Sequence, residues 1–227
     1  MTLDEIKRNI ENVSRRIERA QDTFGRHVTL VAATKTVPAD IVDFAVSCGV
    51  EDVGENRVQE FLDKRDAVTG AKWHFIGTLQ SNKAKYLVGH VALIQSVNSE
   101  RLAREIDRLA QKRNVVQDVL IEVNVGSEPT KTGVSADEAE RLVHTAFGLA
   151  GVRVRGLMAV PPKDATDDVY RRLYDMYARM NAVYPYFDVL SVGMSADYER
   201  AIAFGSNMVR IGTAIFGSRT YDIRQGR

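Results

Sequence analysis

The stretch "LVAATKT", Leu30 to Thr36, decides how the rest of the chain is read. Both faces of the run are apolar, His27-Val28-Thr29 leads into it, and Val37-Pro38 closes it. A strand apolar on both faces is buried on both faces, which is the condition of a parallel sheet covered by helices. Yet the run ends in an amine. Val31, Ala33 and Lys35 share one face by the period of two, so the spacing predicts a lysine aimed inward at the C-terminal end of a buried strand. Desolvation there favours the neutral amine, a nucleophile able to form a Schiff base with a carbonyl. A lysine that snorkels to the rim as an ion-pair partner is the plainer reading of the same position.

Outward from this strand the chain alternates strand and helix with no linker and no shift in composition. Strands are predicted at 28–35, 51–56, 72–77, 92–97, 117–125, 153–160, 188–194 and 208–216, with helices at 39–48, 57–67, 81–88, 99–113, 136–148, 166–182 and 197–204. Ser99 and Ser135 stand where helix N-caps belong, and Glu138 completes a capping box with Ser135. Eight strands separated by helices predict an α/β protein, a single (β/α)8 TIM-type barrel, where a doubly wound sheet stops at five to seven strands. An extra N-terminal helix precedes it, with Thr2 and Glu5 in capping-box spacing and an apolar stripe Leu3, Ile6, Ile10, Val13, Ile17, Ala20. The stripe is too short for a coiled coil and is expected on the protein's own core, which favours a monomer. The expected organisation is one domain over 1–227: helix 1–25, barrel 28–217 and tail 218–227.

Composition excludes several classes. The 227 residues carry 31 basic against 30 acidic side chains, a net charge of +1, with the two signs interspersed, so there is no footprint for nucleic acid or an anionic membrane. No apolar run reaches membrane-spanning length and the N-terminus is not a signal peptide, which predicts a cytoplasmic protein. Cys48 is the one cysteine, and no metal-ligand spacing is present, so no metal is expected. G-x-G-x-x-G after strand one and the P-loop pattern are both missing.

In a barrel of this kind chemistry collects at the C-terminal strand ends. "GENRVQE" puts Glu55 and Asn56 at the top of strand two, Asn56 either facing a ligand or capping the next helix. "WHFIG" places His74 in strand three, as a satisfied core histidine or, less simply, a ring that stacks on a flat ligand. "SVGMS" ends strand seven with Met194 and Ser195, and "VRIGTAIFG" carries Arg210, Ile211, Gly212 and Thr213 along strand eight. A hydroxyl, a glycine that admits close approach to backbone N–H groups and a threonine suit a phosphate, and loops after strands seven and eight commonly bind one. Closure of the barrel sets strand eight beside strand one. A ligand with an aldehyde and a phosphate spans the two, and pyridoxal 5′-phosphate (PLP) has both.

"LVAATKT", "GENRVQE", "WHFIGTLQSNK", "GLMAV", "LSVGMSADYERAI" and "VRIGTAIFG" resemble, in order and spacing from Val28 to Gly217, the pyridoxal phosphate homeostasis proteins, often called the YggS or PROSC family. The resemblance implies a barrel like the N-terminal domain of bacterial alanine racemase that holds PLP as an internal aldimine. It implies Lys35 as the Schiff-base lysine, Ser195, Gly212 and Thr213 around the phosphate, Arg210 near the pyridine nitrogen, and Asn56 and Met194 along the ring, with His74 and Ile211 also among the cofactor-binding residues. Thr34, Arg57 and Val192 depart from the residues frequent in the family and leave the anchoring groups untouched.

A guanidinium beside the ring nitrogen lowers the pKa of the pyridinium and weakens the ring as an electron sink. The chain ends ten residues past Gly217, without room for a second domain bearing another base. The expected function is therefore storage, buffering or delivery of PLP, with PLP-dependent apo-enzymes as candidate recipients. A small PLP-dependent amino-acid racemase and a cofactor-free Schiff-base aldolase acting on sugar phosphates are the alternatives.

Overall fold

In the computed structural model, which describes residues 1–126 and 132–217, eight parallel strands close a barrel in chain order. They are β1 (Thr29–Ala33), β2 (Asp52–Glu55), β3 (Lys72–Phe75), β4 (Leu93–Val97), β5 (Gln117–Val123), β6 (Val152–Ala159), β7 (Val189–Ser191) and β8 (Met208–Ile211). Around them lie α1 (Leu3–Phe24), α2 (Ala39–Ser47), α3 (Val58–Lys64), α4 (Glu100–Lys112), α5 (Ala136–Phe147), α6 (Asp167–Asn181), α7 (Tyr198–Ala203) and α8 (Thr213–Phe216), with a 3₁₀ turn at Ser81–Tyr86 between β3 and β4. The predicted tail 218–227 lies outside the described residues. Among those described, no helix is long and apolar enough to cross a membrane.

Strand alternation sorts the apolar residues into two cores. Val31, Leu93, Leu120, Met158 and Met208 fill the barrel interior, and a larger cluster including Ala32, Val53, Phe75, Ile94, Ile121 and Ile211 packs the outer faces against the helices. Strands apolar on both faces are the consequence. The motif "GLMAV" owes its glycine to close approach: Gly156 has φ +151°, and a Cβ there would stand 1.7 Å from Val189 O on β7.

The stripe on α1 is buried at Ile6, Ile10, Val13 and Ile17, although Leu3, one turn ahead, is exposed. The helix lies against α2, α7 and α8 of its own chain, and both predicted capping boxes, Thr2/Glu5 and Ser135/Glu138, form. Element boundaries shift by a few residues along the chain, the predicted helix 81–88 is a 3₁₀ turn over Ser81–Tyr86, and three differences bear on the site. β1 stops at Ala33, so Thr34 to Val37 form a turn and the strand's alternation does not reach Lys35. β7 is shortened to Val189–Ser191. The predicted eighth strand ends at Ile211, and its continuation "TAIF" is helical, because a short apolar run suits a buried helix as well as a strand.

Candidate functional site

Lys35 stands exposed at the C-terminal end of β1, on a turn gripped from behind. Val37 N donates to Thr34 O at 2.9 Å, closing a four-residue turn with Lys35 second and Thr36 third. Thr36 has φ +61°. A positive φ at the third position marks a type II turn, where glycine is usual and a β-branched residue is strained. The grip comes from β2 and α3. Thr34 Oγ1 donates to Glu55 Oε1 at 2.6 Å, Lys64 Nζ donates to Thr34 O at 2.9 Å and to Glu55 Oε1 at 2.7 Å, and Thr36 N donates to Glu60 Oε2 at 2.6 Å. Glu55 is fully buried and Lys64 nearly so. Burial pushes the Glu55 carboxyl above its ordinary range, against the hydrogen bonds from Lys64 and Thr34 and the Lys64 charge.

β8 pairs with β1, Arg210 level with Val31. Arg210 faces the barrel interior and is 5% exposed. Its Nη1 donates to Ser191 O at 2.8 Å and Ser191 Oγ at 2.5 Å, and its Nη2 to Ala159 O at 2.9 Å, which fixes the guanidinium plane. Burial lowers its pKa to about 10, opposed by the charges of Asp197 and Glu122, and leaves it protonated at neutral pH.

From Arg210 a hydrogen-bonded chain crosses the interior. Ser191 Oγ donates to Gln95 Oε1 at 2.7 Å, Gln95 Nε2 meets His74 Nδ1 at 2.9 Å, and His74 Nε2 meets Asp52 Oδ1 at 2.9 Å. Because the Gln95 amide can only donate to Nδ1, the chain assigns the proton to Nε2, where it points at Asp52. His74 is therefore a fully partnered core histidine at 4% exposure, the plainer of its two readings. Ile211 turns outward into the core beneath the helices, so its side chain stands away from the interior face that carries Arg210.

The remaining predicted residues gather at the ends of β2, β7 and β8. Asn56 lies beyond β2, half-buried, and does not cap α3, whose N-cap position is Arg57, without a side-chain cap. It is crowded by the segment that follows β3, where a Cβ on Gly77 would stand 2.1 Å from Asn56 O. Met194 is 40% exposed, and its N–H donates to Asp197 Oδ1 at 2.7 Å. Ser195 Oγ accepts from Ala214 N at 3.1 Å, which ties the loop after β7 to the first turn of α8, led by Gly212 and Thr213.

Several polar residues of this region went unread in the sequence. Glu122 on β5 is 6% exposed, its Oε1 accepts from Thr132 Oγ1 at 2.5 Å, and its Oε2 is buried without a partner among the described residues. Burial raises its pKa, against the Thr132 hydrogen bond and the Arg210 charge. Two positions before it, Leu120 belongs to the interior cluster, so period-two alternation alone would have aimed Glu122 inward. Gln95 and Ser191 could have been found as polar residues inside apolar strands. Glu60 and Lys64 carried the i, i+4 signature of opposite charges.

With this geometry in view, comparison with known proteins is specific. Residues 1–220 match the alanine racemase N-terminal domain family. The pyridoxal phosphate homeostasis protein of Aquifex aeolicus (strain VF5) is 44% identical over 225 residues, covering 93% of this chain and 97% of that protein. The chain belongs to the pyridoxal phosphate homeostasis protein family. Its relative in Escherichia coli (strain K12) is 38% identical over 96% of this chain and 99% of its own length. Among solved structures, PipY of Synechococcus elongatus PCC7942 with PLP bound superposes with a TM-score of 0.83 at 29% identity, over 93% of this chain and all of PipY. Alanine racemase of Clostridium difficile 630, in complex with cycloserine, has a TM-score of 0.76 at 16% identity, covering 96% of this chain and 61% of that one, a likeness of fold.

Proposed function

We propose that this protein holds PLP on Lys35 and serves its storage, buffering or delivery within the cell, in the manner its family's name describes. The observation that supports this reading is the pairing of β8 with β1, which makes the strand that leads to Lys35 the neighbour of the strand that carries Arg210 and leads into the first turn of α8, tied in turn to Ser195. The residues present fit the cofactor. Arg210 offers only donors and stays charged, which suits an unprotonated ring nitrogen. Ser195 and the backbone at Gly212 and Thr213 suit the phosphate, and N–H groups opening a helix lack intrahelical acceptors. Asn56 and Met194 border the same mouth.

PLP supplies an aldehyde that condenses with amines and a ring that withdraws electrons. Lys35 provides the amine, and Arg210 disfavours a proton on the ring nitrogen because two neighbouring positive charges repel. That weakens the ring as an electron sink and supports a carrier over an amino-acid racemase. PLP-dependent apo-enzymes are the recipients such a carrier would serve.

The test is to incubate the protein with PLP, reduce it with borohydride and map the modified peptide by mass. A tag on Lys35 is expected. A tag on another lysine, or none, overturns the assignment. Equal affinity for PLP and unphosphorylated pyridoxal would remove the phosphate cradle from the reading.

A further inference from the structure

The turn that carries Lys35 is strained and is held from α3, outside the barrel wall. Thr36 is β-branched yet has φ +61°, a conformation that costs such a residue free energy unless its surroundings impose it. Among the described residues, the side chain that accepts from its N–H is Glu60, at 2.6 Å. Glu60 Oε2 lies 3.4 Å from Lys64 Nζ, and Lys64 in turn donates to Thr34 O on the other side of Lys35. The backbone is thus gripped immediately before and after the lysine, from one face of α3.

We infer that Glu60 is a positioning residue for the Lys35 amine: its carboxylate holds the Thr36 backbone in the left-handed conformation and so sets the direction in which the lysine side chain leaves the turn. Without that acceptor the Thr36 peptide relaxes to negative φ, the turn changes type, and the amine is displaced from the mouth. A long flexible side chain cannot correct this at no loss, because restricting its rotamers opposes attachment. The inference rests on the reading of Lys35 as the point of PLP attachment.

The test uses the full chain and three variants. Glu60→Ala removes the acceptor and is expected to raise the PLP concentration for half-saturation about tenfold, the effect of one charge-assisted hydrogen bond. Glu60→Gln keeps a carbonyl oxygen at the same place and should stay near the parent. In Glu60→Ala/Thr36→Gly the glycine adopts positive φ without strain, and most of the lost affinity should return. A merely structural Glu60 would not show that rescue. In cofactor-free parent protein the Thr36 amide should exchange slowly with solvent, a measurement that needs no variant. PLP affinity unchanged in Glu60→Ala, no gain from the added Thr36→Gly, or rapid Thr36 exchange in the parent would each overturn the inference. If the borohydride tag sits on Lys35 while Glu60→Ala behaves as the parent, the inference alone falls. If the tag sits elsewhere, the attachment reading falls and takes the inference with it.

Discussion

Two polar systems, one outside the barrel wall and one across its interior, are built on opposite plans. The one outside the barrel wall, Glu55, Glu60 and Lys64, uses full charges in contact and grips backbone at Thr34 and Thr36. The one inside runs from Asp52 through His74, Gln95 and Ser191 to Arg210, and places neutral groups between a carboxylate and a guanidinium. The difference follows from what each must hold. A lysine at the rim has a flexible stem, so only the backbone beneath it can be fixed. An arginine in the core can be fixed by its own planar fork, provided that every polar neighbour is satisfied.

The sharpest way to break this contrast is at its two ends. Lys35→Ala should abolish borohydride-trapped PLP altogether while shifting stability by less than about 0.5 kcal/mol, because the side chain is exposed. Trapped cofactor in that variant would move the attachment point, and a large loss of stability would mean that Lys35 is part of the grip. Arg210→Met should do the reverse. It strips donors from Ser191 O, Ala159 O and Ser191 Oγ in a site closed to water, and urea unfolding should report a loss of roughly 3–5 kcal/mol. An Arg210→Met protein as stable as the parent would show that the guanidinium is tolerated in the core and does not organise it.

Cutting the interior chain in its middle sharpens the comparison further. Gln95→Leu leaves Ser191 Oγ without its acceptor and His74 Nδ1 without its donor, while the bonds of Arg210 to Ser191 and Ala159 survive. A loss of roughly 1–3 kcal/mol is expected. If Gln95→Leu proves as damaging as Arg210→Met, the chain acts as one cooperative unit and the guanidinium is not its main anchor.

How far these systems could be read beforehand depended on how local their signals are. The helix at α1, its capping box and the number of strands rest on spacings within one or two turns, and these were legible; Lys35 was read as an inward residue of the strand and instead stands exposed on the turn that follows it. Helix α8 was misread because "TAIF" is too short for its periodicity to separate strand from helix. The interior chain joins β2, β3, β4, β7 and β8, and no single stretch contains two of its members. Alternation gives each residue's face, but which inward residues meet depends on the stagger of the closed barrel. That is why His74 carried two readings, and why Asp52, its partner, was not considered. The grip on Thr36 was hidden for another reason: positive φ at a threonine is imposed by Glu60 across 24 positions of sequence, against local preference.

Glu122 offers the smallest expected effect and the finest test of the interior, because it is a buried strand carboxylate whose charge acts on Arg210 with no hydrogen bond to it among the described contacts. Burial raises its pKa above 4.5, and the sign of the consequence follows from linkage. Well below that value the group is protonated in folded and unfolded chains alike, and it does not oppose folding. As pH rises past the ordinary carboxylate range the unfolded chain releases the proton while the folded chain retains it. Stability contributed by this group is therefore lost progressively until pH exceeds the raised folded value. Glu122→Gln is isosteric with the protonated acid and keeps an oxygen for Thr132 Oγ1, so it should remove that loss. Urea melts from about pH 4 to about pH 8 should show parent and variant alike at the acid end, with the variant ahead by on the order of 1 kcal/mol at neutral pH. A variant that is less stable than the parent at neutral pH would mean that the ionised carboxylate is needed there, as the counter-charge to Arg210, and would join Glu122 to the interior chain as a sixth member.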